Sequence, residues 1–283
     1  MKLAEECRSC LLTKAVQQAG YVTDNQKVIQ KMLDACTREY DRLSESPIAT
    51  PIVSGAIHRT CYKVINSIDP YVSIKKHDNM VADELVKGLG PQLNSLHDFL
   101  VAAVIGNSLD YGVTGHDVAS DFAVFFQKKF KGGLAIDDSE QIFSLAKRVV
   151  YFTDNCGEAV FDRLFCQELK KRGAHITIVV KDGPMLNDVT MKEAKEIGLD
   201  NVCDQILSAG GGSQIGLHPQ YYPQETKDAI SNATLLISKG LGNYESLTEE
   251  HQPCPVAYLL MVKCEPVARH VGAKKGDMIA VLR

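Results

Sequence analysis

From residue 2 to about residue 146 the apolar positions of this chain recur at intervals of three and four, as at Leu85, Leu89, Leu93 and Leu96. Turn signals at Gly20, Ser46-Pro47, Asp69-Pro70 and Gly90-Pro91 divide that stretch, which predicts about seven helices and no strand. Beyond residue 147 the period changes. Short apolar runs at 148–153 (RVVYFT), 175–180 (HITIVV), 201–207 (NVCDQIL), 234–238 (TLLIS) and 255–262 (PVAYLLMV) read as strands, and amphipathic segments separate the first four. Apolar strands alternating with helices are the mark of a parallel sheet covered by helices. The expected fold class is α/β, Rossmann-like and three-layered. A helical region, 1–146, packs with a mainly parallel sheet in an α/β region, 147–283.

Composition narrows this picture only slightly. Apolar residues make up 45% and charged residues 23% of the 283, and the formal charge is -4, so disorder and nucleic-acid binding are not expected. Lysine pairs at 75–76, 128–129, 170–171 and 274–275 are scattered and read as solvated surface. No apolar run approaches the ~18 residues of a membrane span, and MKLAEECRSC carries two glutamates where an export leader would be apolar. The expected location is the cytoplasm, away from membranes. In that setting nine cysteines read as reduced thiols rather than as a disulfide framework.

Ligands of open α/β sheets sit beyond the carboxyl ends of the strands, and there this chain turns polar. The first strand runs into Thr153-Asp154-Asn155-Cys156-Gly157-Glu158, and the second into a loop ending at Asp188. The fourth leads to Lys239-Gly240-Leu241-Gly242-Asn243-Tyr244-Glu245 and the last to Lys263-Cys264. Asp and Asn are favoured helix N-caps, but one of them suffices for one helix. Three readings of Asp154, Asn155 and Asp188 stay open on the residues alone: capping, a metal-free acid/base pair, or hard oxygen ligands for Mg²⁺ or Mn²⁺. The start of the helix after Asn155 is expected to offer free N–H groups to an anion.

Several blocks together carry a resemblance. FTDNCGEAVFD, the Asp of KDGPMLNDVT, SKGLGNYESL, MVKC, IGNSLDYG at 105–112 and an N-terminal Cys-x-x-Cys resemble the damage-control phosphatase family. Its members are metal-dependent proteins once described only as a domain of unknown function, and this chain is most similar to the branch with that cysteine pair. The resemblance implies that Asp154, Asn155 and Asp188 bind a divalent metal, Mg²⁺, Mn²⁺ or another transition ion. It also implies hydrolysis of small phosphorylated metabolites, such as sugar phosphates or phosphopantetheine-like compounds. Position 156 departs from the pattern, being Cys where Ala is expected, and a thiol beside the metal would admit oxidation or softer metals.

Around this set, Glu158 lies one turn into the following helix and is a candidate to orient water. Lys263 is a candidate point charge for phosphate. Asn107 and Asp110, three apart at a helix end, could reach a sugar hydroxyl or buttress the metal loop. Gly240 permits close backbone approach, and Asn243 and Glu245 are candidate ligand-recognising groups. A non-catalytic protein that binds metal and phosphometabolites is the alternative function. A dinucleotide enzyme fits poorly, because SAGGGSQIG is followed by Leu217-His218-Pro219 rather than a helix. A haloacid-dehalogenase-type phosphatase would need a second Asp at 156. Cys7 and Cys10 are half of a four-ligand zinc site, which Cys264 or a histidine could complete in space.

Overall fold

The computed structural model describes residues 1–45, 48–108 and 118–283. The predicted site residue Asp110 lies outside them. Helices α1 (Cys7–Gly20), α2 (Gln26–Ser44) and α3 (Thr50–Ile65) open the chain, followed by α4 (Val72–Leu89), α5 (Leu96–Gly106), α6 (Val118–Gly132) and α7 (Ser139–Leu145). Then come β2 (Arg148–Phe152), α8 (Glu158–Lys171), β3 (His175–Val180), α9 (Met191–Glu196) and β4 (Gln205–Ser208). The chain ends with α10 (Gln224–Ser231), β5 (Leu235–Lys239), α11 (Leu241–Leu247), β6 (Val256–Met261), α12 (Glu265–Val271) and β7 (Met278–Leu282). A two-residue strand, β1 (Ile136–Asp137), precedes α7.

The sheet order is β1-β7-β6-β5-β2-β3-β4. Every neighbouring pair is parallel except β6 with β7. The central strands are buried on both faces, which is why they read as unbroken apolar runs. Alternate residues serve opposite cores. Val149, Tyr151, Ile176, Ile178 and Leu259 join α4 to α9 in one cluster, whereas Val150, Phe152, Leu236, Tyr258 and Leu260 pack with α10, α11 and α12 in another. Helices thus cover both faces. α1, α2 and α3 hold a third, separate cluster around Met32, Cys36, Ile57 and Cys61.

The structure differs from the sequence expectation at the sheet edge. β7 and β1 were not foreseen, and β1 comes from upstream of residue 147. The third run, 201–207, is a strand only from Gln205, and that strand continues one residue past the run to Ser208; the run's first residue, Asn201, closes a 3₁₀ turn at Leu199–Asn201.

α5 matters most for the site. It begins with a capping box, Ser95 with Asp98, and is buried along nearly its whole length. Its last residue, Gly106, lies so close to α8 that a Cβ there would stand 3.2 Å from Cβ of Phe161. This close approach sets Asn107 over the first turn of α8.

Candidate active site

β2 and β3 do not separate where their ladder ends. Val189 N donates to Asp154 O at 2.9 Å and Cys156 N to Asn187 O at 2.8 Å, forming an antiparallel bridge between Asn155 and Asp188. Two residues 33 positions apart are thereby fixed side by side. The loop carrying Asp188 holds Leu186 in a left-handed conformation, φ 50°, and the Leu186 N–H donates to the Tyr62 hydroxyl of α3 at 2.8 Å.

Asn155 Nδ2 donates to Asp154 Oδ2 at 2.7 Å and to Glu158 Oε2 at 2.8 Å. Asn107 Nδ2 donates to the same two oxygens, at 3.3 and 2.9 Å, while its Oδ1 accepts from Met261 N at 3.0 Å. Both amides therefore spend their N–H groups on carboxylates. The Asn155 Oδ1, one oxygen of Asp154 and one of Asp188 accept no hydrogen bond among the described residues. Two carboxylates and an amide oxygen left open at one strand edge suit a hard divalent cation. Among the described residues no three His, Cys, Asp or Glu side chains form a ready metal group, so the candidate set depends on the Asn.

Two lysines close the arrangement from behind. Lys181 ends β3's run and is buried; its Nζ donates to Gly216 O at 2.6 Å and Asn243 Oδ1 at 2.8 Å, and lies 3.7 Å from Asp188 Oδ2. Lys239 ends β5 and is fully enclosed, 2.8 Å from Glu158 Oε1 and 2.6 Å from Asp162 Oδ1, with Ala103 O at 2.7 Å. Tyr151 donates to the same Asp162 oxygen at 2.8 Å. Sequence reasoning assigned neither lysine a role, although each directly ends an apolar strand, which is the signal that could have found it.

Electrostatics separate the carboxylates. Burial, then the Glu158 and Asp188 charges, push the Asp154 pKa well above its usual range, against Lys181 and Lys263. Burial raises Asp188 to about 6 despite Lys181 and Lys75. Burial also opposes charge on Glu158, but there Lys239 and the two asparagines outweigh it and hold the group below its usual value. Glu158 is thus the settled anion, and Asp154 and Asp188 are the strained ones. A cation beside the last two would relieve that strain.

The other predicted residues divide. Asn107 buttresses Asp154 and Glu158. Asn243 is consumed inside the fold, donating to Thr153 O and Lys239 O at 3.0 and 2.9 Å, so it positions Lys181. Lys263 is half-buried and bears on Asp154. Glu245 is placed elsewhere, where its carbonyl accepts from the amino group of Met1 and burial raises its carboxyl to about 7.

Gly240 sits against the Asp154 carboxylate. A Cβ there would stand 1.8 Å from Oδ2, and φ is 74°. Gly240→Ala is therefore expected to displace Asp154 and to weaken Mn²⁺ binding in calorimetric titration by at least tenfold; unchanged affinity would show that the carboxylate position is not needed.

Three expectations are corrected. The N–H groups of Asn155, Cys156 and Gly157, just ahead of α8, are taken by Glu158, Asn187 and Asn79, so these three are not free for an anion. Cys156 lies in the core, fully buried, and burial pushes its thiol pKa well up, which makes it inert rather than a soft ligand. Lys75 is not solvated surface. It is 1% exposed and pairs with Asp69 at 3.1 Å and Glu193 at 4.0 Å.

Fold and site together define an α/β protein with an acidic, amide-buttressed cluster at the carboxyl edge of a mostly parallel sheet. The damage-control phosphatase ARMT1-like domain matches residues 3–279, and the chain belongs to that family. It is 36% identical to a damage-control phosphatase of Archaeoglobus fulgidus, with 99% of each chain covered. A damage-control phosphatase of Pyrococcus horikoshii is 28% identical over 99% of this chain and 98% of that one. The crystal structure of a DUF89 family protein from Pyrococcus horikoshii superposes with a TM-score of 0.90 over 99% of both chains at 26% identity. Among the described residues, no helix is long and apolar enough to cross a membrane.

Proposed function

We propose that this protein is a divalent-metal-dependent phosphomonoester hydrolase acting on small phosphorylated metabolites, sugar phosphates or phosphopantetheine-like compounds. Asp154, Asn155 and Asp188 would hold Mg²⁺, Mn²⁺ or another transition ion. The observation that carries the reading is the set of open oxygens on these three residues, backed by two carboxylates whose ionisation burial opposes. When bound, the cation supplies Lewis-acid polarisation of a phosphoryl oxygen and a more acidic water.

The chain's own residues do the rest. Asn107 and Asn155 hold Asp154 in place through its Oδ2. Glu158, locked by Lys239, fixes both amides so that the Asn155 Oδ1 stays presented. Lys263 offers a positive charge for the phosphate oxygens. Membership of the damage-control phosphatase family agrees with the reaction class, and the names of the two relatives agree with it as well.

The test is release of inorganic phosphate from a panel of phosphomonoesters that includes hexose phosphates. EDTA is expected to abolish release and added Mg²⁺ or Mn²⁺ to restore it. Folded, metal-bound protein that turns over nothing in the panel would move the reading to a non-catalytic binding protein.

A further inference from the structure

One group of reactive side chains takes no part in the Asp154 cluster. Cys7 and Cys10 stand three apart in the first turn of α1, and Cys264 is the N-cap residue of α12. Ion pairs join the N-terminal segment to the last turn of α12 and to the residues that follow α11. Glu6, next to Cys7, pairs with Arg269 of α12 at 3.0 Å, and the amino group of Met1 pairs with Glu249 at 2.8 Å. Ala4 and Pro266 line one cleft between the same two segments.

Cys7 and Cys264 are half-buried, Cys10 is exposed, and all three are free thiols. Burial raises the Cys264 thiol, and Glu245, Cys7 and Cys10 are near enough to add to that rise. Five other cysteines, at 36, 61, 156, 166 and 203, are buried. Only this group therefore combines an exposed thiol with neighbouring thiols from a second element.

We propose that Cys264 and the Cys7/Cys10 pair form a thiol–disulfide site, in which oxidation by a small-molecule disulfide covalently ties α1 to the start of α12. Cys10 reacts first because it is exposed. Its thiolate attacks one sulfur of the small disulfide, forming a mixed disulfide and expelling one thiolate. The Cys264 thiolate then attacks the Cys10 sulfur, forming the protein disulfide and expelling the second thiolate, and exchange can pass the bond to Cys7. Two protein thiols are oxidised and one small disulfide is reduced to two thiols, which take up the two protons. The product fixes the backbone one residue from Lys263, whose charge bears on Asp154. The consequence for turnover rests on the phosphatase reading, whereas the cross-link does not.

Reduced full-length protein, treated with oxidised glutathione, is examined by thiol counting, intact mass and peptide mapping. The expected result is loss of two of the nine thiols and a peptide with Cys264 joined to the peptide with Cys7 and Cys10. Dithiothreitol should reverse it. Cys264→Ser should not form it, and Cys254→Ser should form it normally. Nine thiols remaining, a Cys7–Cys10 bond that leaves Cys264 free, or a lasting glutathione adduct would overturn the proposal, as would zinc retained by these thiols in the reduced protein. The oxidised form is expected to show a severalfold higher KM for a phosphomonoester. An unchanged KM in an active enzyme would overturn the coupling to the site, and mapping decides the cross-link even if no substrate is turned over.

Discussion

Lys239→Met is expected to destabilise the fold by about 3–5 kcal/mol, the usual result of removing one partner from a buried charge cluster. Lys239 has no exposure and lies within 2.8 Å of Glu158 and 2.6 Å of Asp162, both themselves buried. Removing its ammonium leaves two carboxylates facing each other with no cation. Asp162 already has its pKa raised to about 6 by burial, with Lys239 opposing that rise, so in the variant it should protonate. The Ala103 carbonyl would also lose its donor. Urea denaturation is the measurement. Adding Asp162→Asn to Lys239→Met should recover part of the loss, because it removes one of the two stranded charges. A midpoint within experimental error of the parent protein would mean that the lysine contributes nothing net.

This lysine also shows where legibility in the sequence ends. The parallel sheet was legible because strands buried on both faces produce long apolar runs; β2, β3 and β6 fall within the predicted runs, and β5 overruns its own by one residue, Lys239. β1 was not, since two residues carry no period. β7 follows a Gly- and Lys-rich turn, and its run MIAVL depends on antiparallel pairing with β6, which a repeating strand–helix alternation does not suggest. Asp154, Asn155 and Asp188 were legible as strand-edge oxygens, but their contact comes from a backbone bridge between two loops.

Lys75 looks in sequence like an ordinary exposed lysine, and Lys181 and Lys239 differ from one only in directly ending an apolar run. Their burial is a property of packing. α5 supplies a carbonyl to Lys239, and the loop at Gly216 supplies one to Lys181. Likewise the start of α8 has the sequence of an open anion site. The N–H groups of Cys156 and Gly157 just before it are claimed by Asn187 and Asn79 from other parts of the chain, and no local pattern reports such partners.

Asp154→Asn is expected to lower kcat/KM for a phosphomonoester about a hundred- to a thousandfold, the equivalent of roughly 3–4 kcal/mol in the barrier, while the fold becomes no less stable. The two effects have one cause. Asp154 stands between Glu158 and Asp188 with its ionisation opposed by burial and by both charges, so in the metal-free protein a neutral side chain of the same shape removes repulsion. The same change removes a charged cation ligand. Calorimetric titration should therefore show weaker Mn²⁺ binding together with a melting temperature at or above that of the parent in EDTA. The pH dependence has a definite sign. A cation needs these carboxylates deprotonated, and Asp188 titrates at about 6. Affinity in the parent should thus fall as pH is lowered from 7 to 5 and recover on return, as protons compete for the site. An Asp154→Asn protein that loses stability in EDTA yet keeps its Mn²⁺ affinity would mean that the carboxylate is a structural anion and not a ligand.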